Sequence, residues 1–344
     1  MSRAEEIQEL ESWIGRESSY DGVDEVSRND IRRKLETFCF DCPLYTDDSV
    51  ARAHGYRMAI APSAMIPLWA LPAYWSPGTP SIFGPDLVEQ DGTVPTRVPM
   101  SWPHGLNAGS EVAYFEPVYP GDRLRSVVKL VEVKPRKTRL GEGAFLTFET
   151  KIVKLSGETV SVRKNTSFRY DKVAPSETEP PSKAPVANGE TSVESGVAEG
   201  ASIDWSVQLR FRDVEIGAET ARYGLWLSYQ RIVMSVAVDR MFSGIHHNRD
   251  FARAGGLDDI IFNTRGYEML LELMLRRWSG LAGRLVKFGP FKMAKSGHPG
   301  DTLVAGGRVT RLEPADRGGV ATLDVWVDSP RGRGAVGEAQ VALP

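Results

Sequence analysis

Histidine is scarce in this chain, five in 344 residues, so a histidine inside a motif is the first place to look for proton transfer. His246 stands in the run Gly244-Ile245-His246-His247-Asn248-Arg249-Asp250-Phe251-Ala252. An imidazole titrates near neutrality and can take a proton from one atom and return it to another. The alternative reading of His246 is a helix-capping residue. His247 is the weaker base, because neighbouring side chains point apart on an extended or a helical backbone. A metal centre built from His246, His247 and Asp250 lacks both the i, i+4 helical spacing and a distant third ligand. No metal and no cofactor is expected.

Carboxylates and thiols supply the other candidates. Cys39-Phe40-Asp41-Cys42 has C-x-x-C spacing. A redox role needs a βαβ context and a zinc role needs a second ligand pair, and the sequence offers neither, so core packing is the expected role. Asp41 reads equally as a loop cap or as an acid facing His246. Asp239 is the nearest carboxylate upstream of His246.

The elements that position these residues come as two copies. Pro43-Leu44-Tyr45 through Ala51-Arg52-Ala53 aligns with the His246 run through Ala252-Arg253-Ala254 at an offset of 201 residues. Tyr119-Pro120-Gly121-Asp122 aligns with His298-Pro299-Gly300-Asp301 at an offset of 179. The change of offset places a surplus of 22 residues in the first copy, in the Pro/Gly-rich stretch 75–103. Each copy reads as a short helical turn, a long apolar helix and then β-rich runs. The helices are expected over 58–75 and 259–278. The strands are expected over 124–134, 144–155 and 159–170, then 303–312, 320–328 and 335–343. The first helix carries Pro62, Pro67 and Pro72 beside Trp69, Tyr74 and Trp75, which reads as a kinked element beside a widened aromatic pocket.

Between the copies, residues 172–202 are rich in Pro, Ser, Glu, Gly and Ala, with no aromatic or long apolar side chain. Such a segment cannot offset its ordering entropy and reads as a linker. The expected domains are 1–171, the linker 172–202, and 203–344. With 42 Lys+Arg against 45 Asp+Glu, the net charge of −3 speaks against nucleic acid as a partner. Two cysteines cannot staple a secreted scaffold. No apolar run reaches membrane-span length, and no apolar leader core follows the charged start. A cytoplasmic location and no membrane partner are expected.

A long helix against an antiparallel sheet, twice over, is an α+β arrangement that resembles the double hotdog fold. The run His246-x-Asn248-x-Asp250-Phe251-Ala252 resembles the hydratase motif of MaoC-like dehydratases and (R)-specific enoyl-CoA hydratases. The first copy, with Asp41-Cys42-Pro43-Leu44-Tyr45, resembles the N-terminal dehydratase half of that family. The resemblance covers nearly the whole chain outside the linker. It implies reversible hydration of an enoyl thioester, carried by CoA or acyl carrier protein. An Asp/His pair handles the water, and a backbone N–H at the start of the long helix polarises the thioester carbonyl. The sequence departs from the family at the acid: Met241 stands where the Asp belongs, and Ser243-Gly244 replaces Asn-Pro.

The resemblance makes His246 the base, with Asp41 or Asp239 as its acid and Tyr45 as the first-copy counterpart. Asn248, Asn263, Thr264, Pro62, Ser63 and Trp69 are the expected substrate-binding residues, Asn263 alternatively being a helix cap. A bulky acyl group and a homodimer are expected. The competing activities are hydrolysis of a bulky acyl-CoA, a chemistry of other hotdog proteins, and non-catalytic binding of an acyl thioester.

Overall fold

The computed structural model describes residues 3–81, 98–102, 104–138, 141–172 and 203–344. Apart from Lys172, the expected linker 172–202 lies outside the described residues, as does the stretch 82–97 of the expected insertion. Ten strands are described: β1 (Glu17–Glu25), β2 (His104–Tyr114), β3 (Arg123–Thr138), β4 (Gly141–Lys154), β5 (Thr159–Lys172), β6 (Tyr223–Trp226), β7 (Arg284–Met293), β8 (Thr302–Pro314), β9 (Gly319–Ser329) and β10 (Gly332–Leu343). They form one antiparallel sheet in the order β1-β3-β4-β5-β2-β7-β10-β9-β8-β6. The halves join where β2 pairs with β7, Ser110 opposite Phe291 and Val112 opposite Phe288. Along β3, Leu124, Ser126 and Val128 are buried while Arg123 and Arg125 are exposed, the period-2 pattern of a strand with one wet face.

The described α-helices are α1 (Arg3–Ser12), α2 (Arg28–Phe38), α3 (Pro43–Thr46), α4 (Asp48–Ala53), α5 (Tyr229–Val238), α6 (Arg249–Ala254) and α7 (Thr264–Ser279). Helices α2 and α5 begin 201 residues apart, as do α4 and α6. Strands β3 and β8 begin 179 apart. The duplication is thus structural, and the fold is the α+β double hotdog.

Helix α7 starts where the Asn263 side chain accepts the Gly266 N–H at 3.1 Å and stops at Gly280, whose φ of 72° suits only glycine. Met269, Leu270, Leu271, Leu273, Met274 and Leu275 are all buried, as a helix enclosed on every side requires. Each contributes about 2 kcal/mol by leaving water. The sheet beneath it is apolar too, with Leu323, Val325 and Val327 in the same core cluster.

The first half corrects the expectation of a matching long helix over 58–75. Its regular part is an eight-residue 3₁₀ segment, Ser63–Ala70, which begins 201 residues before α7. Pro67 lies inside it, with Pro62 before and Pro72 after. Each proline removes an amide donor and crowds the preceding turn, so an α-helix cannot propagate. This short segment leaves part of the first-half sheet uncovered.

Candidate active site

The uncovered sheet floors a cavity of about 500 Å³. Strands β2 to β5 form its floor, the Ser63–Ala70 segment one wall, and residues 240–246 with the first turns of α7 another. His246 reaches it from a tight turn. Its own N–H bonds Ser243 O at 3.0 Å, and Ile261 N bonds Ile245 O at 3.0 Å, which ties this turn to the strand of chain entering α7. The imidazole is 6% exposed, and Nδ1 lies 2.8 Å from Ile261 O. A carbonyl only accepts, so Nδ1 carries the proton and Nε2 holds the lone pair.

Thr264 and Arg265 line the same cavity. They are the first residues of α7, so their N–H groups have no acceptor within the helix and carry its partial positive charge. One turn on, Glu268 accepts both Arg163 guanidinium arms, Nη1 to Oε1 at 2.6 Å and Nη2 to Oε2 at 2.8 Å. Burial works against the Arg163 charge, but the Glu268 carboxylate more than offsets it and holds the guanidinium above its ordinary value. Arg265 is pulled below its ordinary value by burial, although the nearby Asp239 works the other way. Glu268 is the one carboxylate among the described lining residues.

The first-half counterpart is closed by the protein itself. Tyr45 is buried, its hydroxyl 3.4 Å from Glu272 Oε1 and 3.5 Å from Arg276 Nε. Glu272 Oε1 accepts the Ser63 N–H and Oε2 the Ala64 N–H, each at 2.7 Å. At the 201-residue offset these are the donors that correspond to Thr264 and Arg265. Burial pushes both the Tyr45 phenol and the Glu272 carboxyl up, the latter despite its two backbone donors.

Of the residues expected from sequence, the structure brings His246, Thr264 and Ser63 to one cavity. Asp239 is elsewhere: it is buried, pairs with Lys34 Nζ at 2.7 Å and accepts Asn263 Nδ2 at 3.1 Å. Asp41 is exposed, and its backbone carbonyl accepts the Trp205 indole N–H. Asn248 caps α6 through the Asp250 and Phe251 N–H groups, and Asn263 caps α7. Pro62 precedes the 3₁₀ segment, and Trp69 is buried with its indole N–H on Asp30. Cys39 and Cys42 form no disulfide, the first being exposed and the second buried.

Sequence reasoning missed Arg163, Arg265 and Glu268. The signal for Glu268 was present: Glu268, Glu272 and Arg276 recur every fourth residue through an apolar helix, so they share a face and need buried partners. For Arg163 the signal was the alternation of polar residues along β5.

Residues 12–163 match the family of the FAS1-like dehydratase domain region. A UPF0336 protein of Saccharopolyspora erythraea is 30% identical over 156 residues, 45% of this chain and 88% of that protein. A probable enoyl-CoA hydratase alpha subunit of Thermomonospora curvata is 26% identical over 190 residues, 54% of this chain and 58% of that one. Among solved structures, a MaoC-like dehydratase superposes with a TM-score of 0.70 at 18% identity, over 97% of this chain and 99% of the other. The Mycobacterium tuberculosis protein Rv0216, described as a double hotdog, superposes with a TM-score of 0.59 at 12% identity, over 97% of each chain.

Proposed function

We propose that this chain, whose residues 12–163 match the FAS1-like dehydratase domain region, is a MaoC-like dehydratase that adds water reversibly across the 2,3 double bond of an enoyl thioester. The acyl group sits in the cavity over the first-half sheet. One observation carries the reading: His246 and the open N-terminal turn of α7, at Thr264 and Arg265, line a single cavity.

The thioester carbonyl oxygen accepts the Thr264 and Arg265 N–H groups. His246 Nε2 takes a proton from a water molecule as the water oxygen bonds C3. The π electrons of the 2,3 bond move toward the thioester, and negative charge builds on the oxygen held by the helix terminus. The proton then passes from His246 to C2, which restores the carbonyl and leaves a 3-hydroxyacyl thioester. Dehydration is the reverse. Glu268 takes the place of the missing family Asp as the carboxylate that holds the water, with Arg163 fixing its orientation.

The test mixes the purified chain with crotonyl-CoA and with a bulkier enoyl-CoA. Loss of enone absorbance is the expected result, and His246→Ala should reduce the rate by about 10²- to 10⁴-fold. Release of free thiol in place of enone loss would assign hydrolysis. Unchanged hydration in His246→Ala would remove His246 from the chemistry.

A further inference from the structure

The cavity floor differs from the matching surface of the other half. There the strand that takes the place of β5, β10, offers Ala335, Ala339, Val341 and Leu343 to the core. Along β5 the inward positions are Ser161, Arg163, Asn165, Ser167 and Arg169, and all five line the cavity. A strand face that buries no apolar side chain is suited to a polar ligand.

Three of the four cavity arginines already have work. Arg163 is bound by Glu268. Arg240 donates to the Pro72 carbonyl and to Asp24, and Arg265 donates to the Asp239 carbonyl. Arg169 differs from these. Among the described residues no carboxylate pairs with it, and its Nε is buried without a hydrogen-bond partner. Its neighbour across the ladder, on β2, is Gly105. A Cβ at Gly105 would come within 2.7 Å of Arg169 Nη1 and 2.9 Å of Cζ. The absent side chain makes room for the guanidinium to lie across the strand. A buried guanidinium donor without an acceptor is costly, and an anionic ligand removes that cost.

We propose that Arg169 binds a carboxylate carried by the acyl group, so that the substrate is an enoyl thioester with a second acid group remote from the thioester. Arg169 lies six residues along β5 from Arg163, roughly 20 Å of strand away from the Glu268 end. The acid therefore sits far from the reacting double bond. This inference rests on the reading of the cavity as the acyl chamber.

The experiment compares CoA monothioesters of trans-2-alkenedioic acids of graded length with the same compounds carrying a terminal methyl ester. The wild-type protein should prefer the free acid in kcat/KM. Arg169→Gln should cut the acid-to-ester ratio by roughly 10- to 100-fold, the worth of hydrogen bonds to a charged group. Gly105→Ala, which displaces the guanidinium and keeps its charge, should cut it in the same direction. Equal turnover of acid and ester by the wild type would overturn the proposal. So would an equal loss on acid and ester in Arg169→Gln that disappears with pantetheine thioesters lacking the CoA phosphates, since Arg169 would then be reading those phosphates. Calorimetric titration with the saturated monothioesters, which cannot be hydrated, separates the two readings. Acid-dependent affinity without enone loss keeps this inference and removes hydration, whereas hydration without acid preference removes this inference alone.

Discussion

Glu272 sets its two carboxylate oxygens on the N–H groups of Ser63 and Ala64, whereas the matching residues of the other half, Thr264 and Arg265, line the cavity. One helix terminus is therefore filled by the chain's own side chain, while the matching one borders the cavity. Glu272→Ala would strand the two buried backbone donors of Ser63 and Ala64, at a cost of about 3 kcal/mol or more in urea unfolding. Burial raises the folded carboxyl above its unfolded value, so the native state holds this proton more tightly. Its contribution is fully present below the unfolded carboxylate range and is lost as pH rises through the folded value. Glu272→Gln should flatten that part of the stability–pH profile, and an unchanged slope would reject the assignment. Cys42 offers a simpler check. Its thiol is pushed up to about 11 by burial, so a thiol reagent at neutral pH should label one cysteine in the native protein, Cys39, and two after unfolding. The repeat in the sequence was enough to set Tyr45 opposite His246. Glu272 could not be read in the same way, because its partners lie 209 and 227 residues away and no local spacing reports them.

Elements α2 and α5 pack against each other with Lys34 and Asp239 buried between them, each 1% exposed. Burial lowers the Lys34 ammonium even against the attraction of Asp239. Asp239 therefore serves this helix contact and the Asn263 cap of α7, which explains why a carboxylate close to His246 in sequence does not line the cavity. Lys34→Met leaves a buried carboxylate without its cation and should cost about 3–5 kcal/mol. Adding Asp239→Asn should recover much of that in a double-mutant cycle, and strictly additive losses would show that the pair does not act as a unit. The strands rich in alternating Val, Phe and Thr were readable from sequence. Strands β2 and β7 were not, since Gly109 stands at a register shift in one and Gly289-Pro290 interrupts the other. Those two strands nevertheless close the sheet between the halves. The prolines of the first helix were visible, but their consequence is larger than a kink: they shorten it to two or three turns and so create the cavity.

At the scale of the molecule, the halves share more than a tether. Their sheets are continuous through β2 and β7, Arg163 of one half binds Glu268 of the other, and the Ser63–Ala70 segment is held by Glu272. Separated, each half would expose the central edge of its sheet and strand a buried charge: Arg163 in the first half, Glu268 and Glu272 in the second. Neither piece should then be stable alone, although the composition of 172–202 alone suggests two independent domains. Residues 1–172 and 203–344 expressed as separate chains should be insoluble or unfolded singly. Expressed together, they should assemble one to one with the circular dichroism of the intact protein and a single unfolding transition, because the contacts that define the fold cross between them. The joined pair should also keep enone hydration, since the cavity draws its floor from the first piece and His246 with the α7 terminus from the second. Two pieces that each fold alone and ignore one another would show that the continuous sheet is incidental and that the linker holds the halves together.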